Sequence, residues 1–594
     1  MLPGTASAGV PAQVFQGIGE KSIDGIAGVT WRDLEPYVGD TWKLTRRLTV
    51  SYGFRWSLYF EPYGNPNGGN NNAAFGGGGN VANQWANWDL SKWSASEATA
   101  NPGDACNGIV TVPGTTPCAN QVKALSALGI NLPLSSGTPG SNKSLVQQNL
   151  HSIAPRLGIS WDVFGTGKTA VRIGAGQFYQ REVVGLAEGM AYNAPFELNI
   201  SSNRSMDTVG PLAGASVSPS YSKTTAGHLP NSWQYNISVE QEIARNTTIQ
   251  VGYVGNKGIH LTDSRDTNPI PDNNWLTAAF VATGGPQNQY RPAFNFGEIP
   301  QFSRGGEANY NSLQVLFKAQ TGAFSTFQAA YTWSHSLGDV AEDDSSGSLS
   351  AQATTDQYNT KLDKGNTDIN RPNIFVANEV FYLPKFEKQN RFVQNTAGGW
   401  EANSIFTMAE GSSFTVLSNG ASGSGGSTLS DLVGTGLYVN QRPLASGKSC
   451  TAGTGGRNRL NYDAFTLVGY TIGTFPTNLA SRGTCTGSPN TNLDGQLAKN
   501  WTVGESLRVK FSMDFFDLFN HPNFNSGNLQ NTGYGTSSGG LTCSGAGGVC
   551  SPSNNVVSAA AGVPTTANGT GFGQASSENL NEGRTLQYTL KLTF

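Results

Sequence analysis

Several residue clusters in this sequence have types and spacings that could do chemistry, and each also has a plainer reading. Gly165-Thr166-Gly167-Lys168-Thr169 ends like a loop that cradles phosphate groups. The full pattern needs a glycine five residues before Gly167, where Asp162 stands, and a helix after it. Ala170, Val171, Arg172, Ile173 and Gly174 instead continue an alternating strand, so a tight β-turn is expected. Gly535-Thr536-Ser537-Ser538-Gly539 matches the G-x-S-x-G nucleophile spacing, but its flanks are Gly/Asn/Ser-rich loop rather than strand and helix. Asp339, Glu342, Asp343, Asp344, Asp356, Asp363 and Asp368 make one long acidic loop. Oxygen-rich loops hold calcium, but the spacing is not that of an EF-hand, and a solvated loop is the expectation. No HExxH occurs. Nucleophile, base and oxyanion donor nowhere come together, so no enzyme, no metal site and no cofactor are expected.

The cysteines number six: Cys106, Cys118, Cys450, Cys485, Cys543 and Cys550. They lie close in pairs within Gly/Ser/Asn-rich segments, which reads as loop disulfides in an oxidising compartment, with free thiols the alternative. Zinc is disfavoured, because no CxxC occurs and the histidines do not cluster with the cysteines.

The elements that must position these residues have a period of two. From Arg584 onward, Leu586, Tyr588, Leu590, Leu592 and Phe594 alternate with Thr585, Gln587, Thr589, Lys591 and Thr593. Successive strand side chains point to opposite faces, so one face is apolar and the other polar. The same alternation runs through 48–60, 156–163, 233–240 and 507–515. Weaker versions lie near 37–44, 169–180, 247–257, 311–319, 325–336, 371–383, 399–409 and 497–503, giving about thirteen strands. Short links join strands at 44–48, 163–169, 243–247 and 319–325, and 384–398 is intermediate. Between the hairpins run long polar stretches, 61–153, 182–231, 259–310, 337–370, 410–496 and 520–583.

Short links alternating with long ones fit an antiparallel up-and-down barrel of the bacterial outer membrane, with short periplasmic turns and long outer loops. A soluble β-sandwich also alternates, but its connections are short. Trp56, Tyr59, Phe60, Phe178, Tyr179, Trp333 and Phe519 sit at strand ends, as interfacial aromatic girdles do. In a barrel, Arg55, Arg156, Arg172, Glu240, Lys318, Arg508, Lys510 and Asp514 face the lumen. Their plain role is a wet, salt-bridged wall; their functional role is contact with a solute or a plugging domain.

Composition agrees. The chain has 594 residues, 37 Lys+Arg against 40 Asp+Glu, and a net charge of −3, which gives no reason to expect nucleic acid. Charged residues are 13% of the chain, about half the usual share, and Gly reaches 75. Aromatics at 10% argue against wholesale disorder. Mean hydropathy is −0.31, and no uninterrupted apolar run of 18 residues exists to make a spanning helix. The opening residues MLPGTASAGVPAQ show no secretory leader.

Several segments resemble the C-terminal barrel of TonB-dependent outer-membrane receptors, closest to the Oar-like, carboxypeptidase-regulatory-like-domain group. They are 37–56, 154–179, 231–243, 249–261, 310–319, 330–339, 507–524 and 586–594, in the family's order. The terminal Leu586, Tyr588, Leu590, Leu592 and Phe594 resemble the signal read by the barrel-assembly machinery. The resemblance implies energy-coupled uptake of a scarce, bulky solute such as a siderophore, oligosaccharide or peptide. It implies a 22-stranded barrel with an N-terminal plug, the inner-membrane TonB complex, and outer-membrane lipid and lipopolysaccharide around it. No TonB box, plug or Ig-like domain is recognisable before residue 37. Residues 1–33 then read as a lead, a loop or a partial strand around 25–33, and 34–594 as barrel. Thirteen strands also leave the first and last running the same way, whereas bacterial barrels close antiparallel with an even number. The chain therefore reads as the C-terminal part of a longer receptor. A passive porin or an outer-membrane adhesin is the alternative function, and a secreted soluble β-protein a third.

Overall fold

The computed structural model describes 29–64, 85–116, 134–181, 228–271, 287–321, 325–340, 356–418, 442–451, 461–466, 477–503, 507–521 and 583–594, apart from positions 298, 357, 385 and 387, with short isolated pieces between. Its frame is one fifteen-stranded sheet, thirteen strands of which form a continuous path in chain order. We number them β1 Tyr37–Lys43, β2 Leu48–Trp56, β3 Ile153–Asp162, β4 Thr169–Tyr179, β5 Asn231–Ala244, β6 Thr247–Asp266 and β7 Pro300–Thr321. The path continues through β8 Ser325–Gly338, β9 Asn373–Tyr382, β10 Trp400–Ala409, β11 Asn490–Val503, β12 Leu507–Phe516 and β13 Thr585–Thr593. Each pairs antiparallel with the next. The two-residue strands Ser222–Lys223 and Gly365–Asn366 attach to β7 and β8.

The alternation in sequence becomes two unlike faces because the register keeps like with like. One row of cross-strand partners reads Val50, Ile159, Ile173, Ile237, Tyr253, Leu313 and Trp333. The neighbouring row on the opposite face reads Thr49, Ser160, Arg172, Ser238, Gly252, Gln314 and Thr332. At the C-terminal end, Phe381, Ala402, Leu497, Met513 and Tyr588 share the first face, and Val380, Asn403, Gln496, Asp514 and Gln587 the second. Among the described residues most of the apolar face is left uncovered by protein: Ile237 is 45% exposed, Tyr588 62% and Leu590 65%. A face of this size and composition left uncovered is the lipid-facing surface of an outer-membrane barrel.

The short links are tight. In the β3–β4 turn the Asp162 carboxylate accepts the amides of Gly165 at 2.9 Å and Gly167 at 3.0 Å. Both glycines have positive φ, 71° and 72°, which a side chain would strain. The glycine-rich segment is thus a turn, and no phosphate-cradling helix follows it.

Three expectations are corrected. The run 48–60 is not one strand: it breaks at Ser57, and Leu58–Gly64 leaves the main sheet to pair with Val29–Leu34. Leu58 and Phe60 keep the alternation in sequence, but Leu58 is buried off the barrel face. Val29–Leu34, the described part of the segment near 25–33, accordingly adds no strand to the main sheet, and Val14–Lys21 pairs with Glu197–Arg204. Third, the long connections are not merely polar. Every buried apolar cluster among the described residues is built chiefly from them. Several strands also run well past the ~9–11 residues that cross a membrane. β6 spans 20 residues and β7 spans 22, and both continue into this loop layer.

Candidate functional site: a polar wall beneath a loop-built cap

All eight lumen candidates, Arg55, Arg156, Arg172, Glu240, Lys318, Arg508, Lys510 and Asp514, fall on the polar face by register. They form a wall rather than one site. Arg172 Nη1 reaches Glu240 Oε2 on β5 at 2.5 Å. Lys510 Nζ meets Glu401 Oε2 at 3.2 Å, spanning from β12 to β10 over the small Ala498 of β11 between them. Gln496 Nε2 donates to Asp514 Oδ1 at 2.5 Å. The Arg156 guanidinium lies 4.6 Å from the centre of the Phe178 ring. Lys318 stands opposite Thr248 and Gln328, and Arg508 opposite Thr502 and Thr593. Half-exposed pairs of this kind hold side chains in place but add little stability.

At the loop end, Arg55 joins a cluster just outside the spanning ladder. Glu35 accepts from the Tyr59 hydroxyl at 2.6 Å, from Ser57 at 3.3 Å and from Arg55 at 3.4 Å. The Tyr59 bond is the main reason that the Glu35 carboxyl sits below its usual range. Burial first and the carboxylate second push the Tyr59 hydroxyl up to about 12.

Over the wall sits the cap. Its first part joins 85–118 to 266–302. Trp88 is buried, donates Nε1 to the Asn107 carbonyl at 3.1 Å, and meets Phe296 edge-on at 6.3 Å. Trp93 Nε1 donates to Asn295 Oδ1 at 3.0 Å. Beneath them Asp266 accepts Arg291 Nη1 at 2.6 Å and the amides of Asn268 and Ile299 at 2.8 and 2.9 Å. Arg304 at the outer part of β7 pairs with Glu61 at 2.8 Å and also reaches the His228 carbonyl at 2.7 Å. The second part packs Phe414, Val416, Ala464, Phe465 and Ala480 around Cys450 and Cys485. Arg442 ties it to Asp363 at 3.4 Å, and Arg482 to the Asp339 carbonyl at 2.8 Å.

The structure joins Cys106 to Cys118 and Cys450 to Cys485, each inside one of these cores. Cys543 and Cys550 are direct cross-strand partners in the hairpin Leu541–Cys543 and Cys550–Pro552. Closing the loop between Cys106 and Cys118, a separation of 12 residues, contributes roughly 3 kcal/mol by restricting the unfolded chain. We therefore expect reductant, or Cys106→Ser with Cys118→Ser, to raise trypsin cleavage within 85–146 while the sheet stays protected. Unchanged cleavage rates would show that the cap holds without its bridges.

Three of the described acidic residues are engaged by protein donors. Asp363 meets Arg442, Asp339 accepts the Glu307 amide at 2.6 Å, and Asp356 accepts the Tyr358 amide at 2.8 Å. No metal-holding group of His, Cys, Asp and Glu occurs among the described residues. Glu342–Asp344 and Gly535–Gly539 lie outside them. The cap itself went unread in the sequence. Its available signal was three indoles, Trp85, Trp88 and Trp93, within nine residues of an otherwise Gly/Asn-rich stretch.

A family model described as an outer membrane beta barrel domain matches residues 9–587. No curated protein matches the chain. Among solved structures, it is similar to the outer membrane transporter YddB from Escherichia coli, with 9% identity, a TM-score of 0.40, and coverage of 92% of this chain and 45% of that one. It is similar also to the ferric yersiniabactin uptake receptor FyuA from Yersinia pestis, with 9% identity, a TM-score of 0.35, and 95% and 46% covered. For the siderophore receptor PirA from Acinetobacter baumannii the values are 9%, 0.34, and 82% and 41%. The chain spans a little under half the length of these three structures.

Proposed function

We propose that this chain, which belongs to the outer membrane beta barrel domain family and so to the bacterial outer membrane, is the solute-conducting barrel portion of a TonB-dependent transporter. One observation carries the reading. A continuous polar wall with fixed charges is backed by an apolar lipid face, and among the described residues its long-loop end is roofed by a folded, cross-linked cap. A wall that only sealed the membrane has no need of aligned Arg172–Glu240 and Lys510–Glu401 pairs facing water. A cap cored by tryptophan and disulfides can present a fixed surface for capturing a bulky solute outside. The Oar-like subgroup, suggested by 37–56, 154–179 and 507–524, belongs to the same proposal.

β1 and β13 run in the same direction, since twelve antiparallel steps separate them, and no ladder joins them among the described residues. Antiparallel closure then takes an odd number of further strands, which also satisfies the two edges in lipid. A plug and its TonB contact belong with those strands. Leu586, Tyr588, Leu590, Leu592 and Phe594, on the outward face at the end of the chain, are where we place recognition by the barrel-assembly machinery.

The test is solute accumulation in cells carrying the whole gene, against a deletion strain, screened over iron chelates, oligosaccharides and peptides. We expect gene-dependent accumulation of one class that a protonophore abolishes. Accumulation that survives the protonophore makes the barrel a passive pore. Surface adhesion without accumulation of any solute makes it an adhesin.

A further inference from the structure

At the short-turn end, the connection between β9 and β10 stands apart. It covers 383–399, while the others at that end need six residues or fewer. It contains a one-turn helix, Arg391–Thr396, started by Asn390, whose side chain accepts the Val393 amide at 2.9 Å. The carbonyls at the end of this helix take donors from the outward face of the sheet. Trp400 Nε1 reaches the Thr396 carbonyl at 2.9 Å, and Trp501 Nε1 the Asn395 carbonyl at 3.2 Å. Lys499 Nζ reaches the Thr396 carbonyl at 3.3 Å and the Gly398 carbonyl as well.

Register fixes which side this is. Trp400 is the cross-strand partner of Lys499, Lys499 of Phe511, and Phe511 of Leu590, all on the apolar face. The helix therefore lies against the outside of the barrel at its rim, not below the lumen. Lys499 is 1% exposed, with its ammonium 5.3 and 5.8 Å from the Trp400 and Trp501 rings. A lysine on the lipid face costs less at the rim than at mid-membrane, but a buried ammonium still needs partners. Helix-end carbonyls and two indoles compensate it and pin the helix in place.

What the pinned segment presents outward is mixed in a particular way. Phe392 is 76% exposed, Phe386 is also exposed, and the cations Lys388 and Arg391 flank them. The apolar side chains continue the lipid-facing band, and the cations sit where that band ends. We propose that the helix Arg391–Thr396, with Phe386 and Lys388 before it, is an interfacial anchor for anionic glycerophospholipid. Phe392 enters the acyl region of the leaflet on the short-turn side, and Lys388 and Arg391 hold headgroup phosphates. Aromatic and basic residues together on a short interfacial helix have this chemistry. The proposal rests on the apolar face being the lipid face.

Two readouts test it on the full chain. In native mass spectrometry from detergent, phosphatidylglycerol should be retained about 25-fold more tightly than phosphatidylcholine. Lys388→Gln with Arg391→Gln should lose about that factor, since each cation near an anionic surface contributes about fivefold. Equal retention of the two lipids, or retention unchanged in the double variant, overturns the proposal. Benzoylphenylalanine replacing Phe392 should photo-crosslink to lipid in cells. A crosslink to another protein, or back onto this chain, overturns it. Neither readout uses transport, so the uptake reading can fail while this one stands.

Discussion

Val315→Arg is expected to abolish assembly of the barrel, while Gln314→Arg, one residue away, leaves it intact. Val315 lies between Val251 and Tyr331 on the apolar face, and Gln314 between Gly252 and Thr332 on the polar one. Val315 is six residues from Thr321 at the short-turn end, which puts it near mid-membrane for a strand whose spanning part is about eleven residues. An arginine there costs about 2–4 kcal/mol, falling towards zero near the interfaces. Against a marginal folding free energy that shifts the folded fraction by one to three orders of magnitude. At position 314 the guanidinium meets water and polar neighbours, and the cost is small. The measurement is heat-modifiable gel migration together with outer-membrane fractionation of the two variants. Equal folding of both, or loss of the 314 variant alone, would reverse the assignment of faces and with it the barrel reading.

Arg304→Ala is expected to open the cap without unfolding the sheet. Arg304 and Glu61 are 2% and 3% exposed, and they join β7 to the segment Leu58–Gly64 across 243 positions of sequence. Removing one member of a buried pair takes from the other charge the partner that offset its desolvation, a cost of about 3–5 kcal/mol. Replacing both by apolar residues of similar size avoids that charge, so Arg304→Met with Glu61→Leu should recover most of the loss. Limited proteolysis reads the difference: cleavage within 57–64 and 228–230 should rise at least tenfold in the single variant and return towards wild type in the double. Heat-modifiable migration, which reports the sheet, should stay the same in both. If the single variant loses that migration too, cap and sheet fold as one cooperative unit.

The strands and their faces were legible in the sequence because strand geometry is local. Side chains alternate whatever the distant chain does, so Leu586 to Phe594 or Trp233 to Val239 declare an apolar and a polar side within a few residues. The register then adds no new face; it aligns those already written, and Arg172 meets Glu240 on the side where alternation had put both. Lys499 broke the pattern, being a cation at an apolar position of β11. Only the tertiary structure shows why it is tolerated: helix-end carbonyls from another connection reach it.

The cap was illegible for the opposite reason. Its core residues have no period, because they come from loops whose backbone takes no regular form. Trp93 meets Asn295 across 202 positions, and Arg442 meets Asp363 across 79. Composition marked these stretches as Gly- and Asn-rich, which describes their surface but not the indoles and disulfides inside. The break at Ser57 has the same origin, since nothing in the alternation of 48–60 announces that Leu58–Gly64 finds a better partner in Val29–Leu34. Sequence alone determined which side of each strand meets lipid, since that is fixed residue by residue. Tertiary structure decided what roofs the wall, since that depends on contacts between residues hundreds of positions apart.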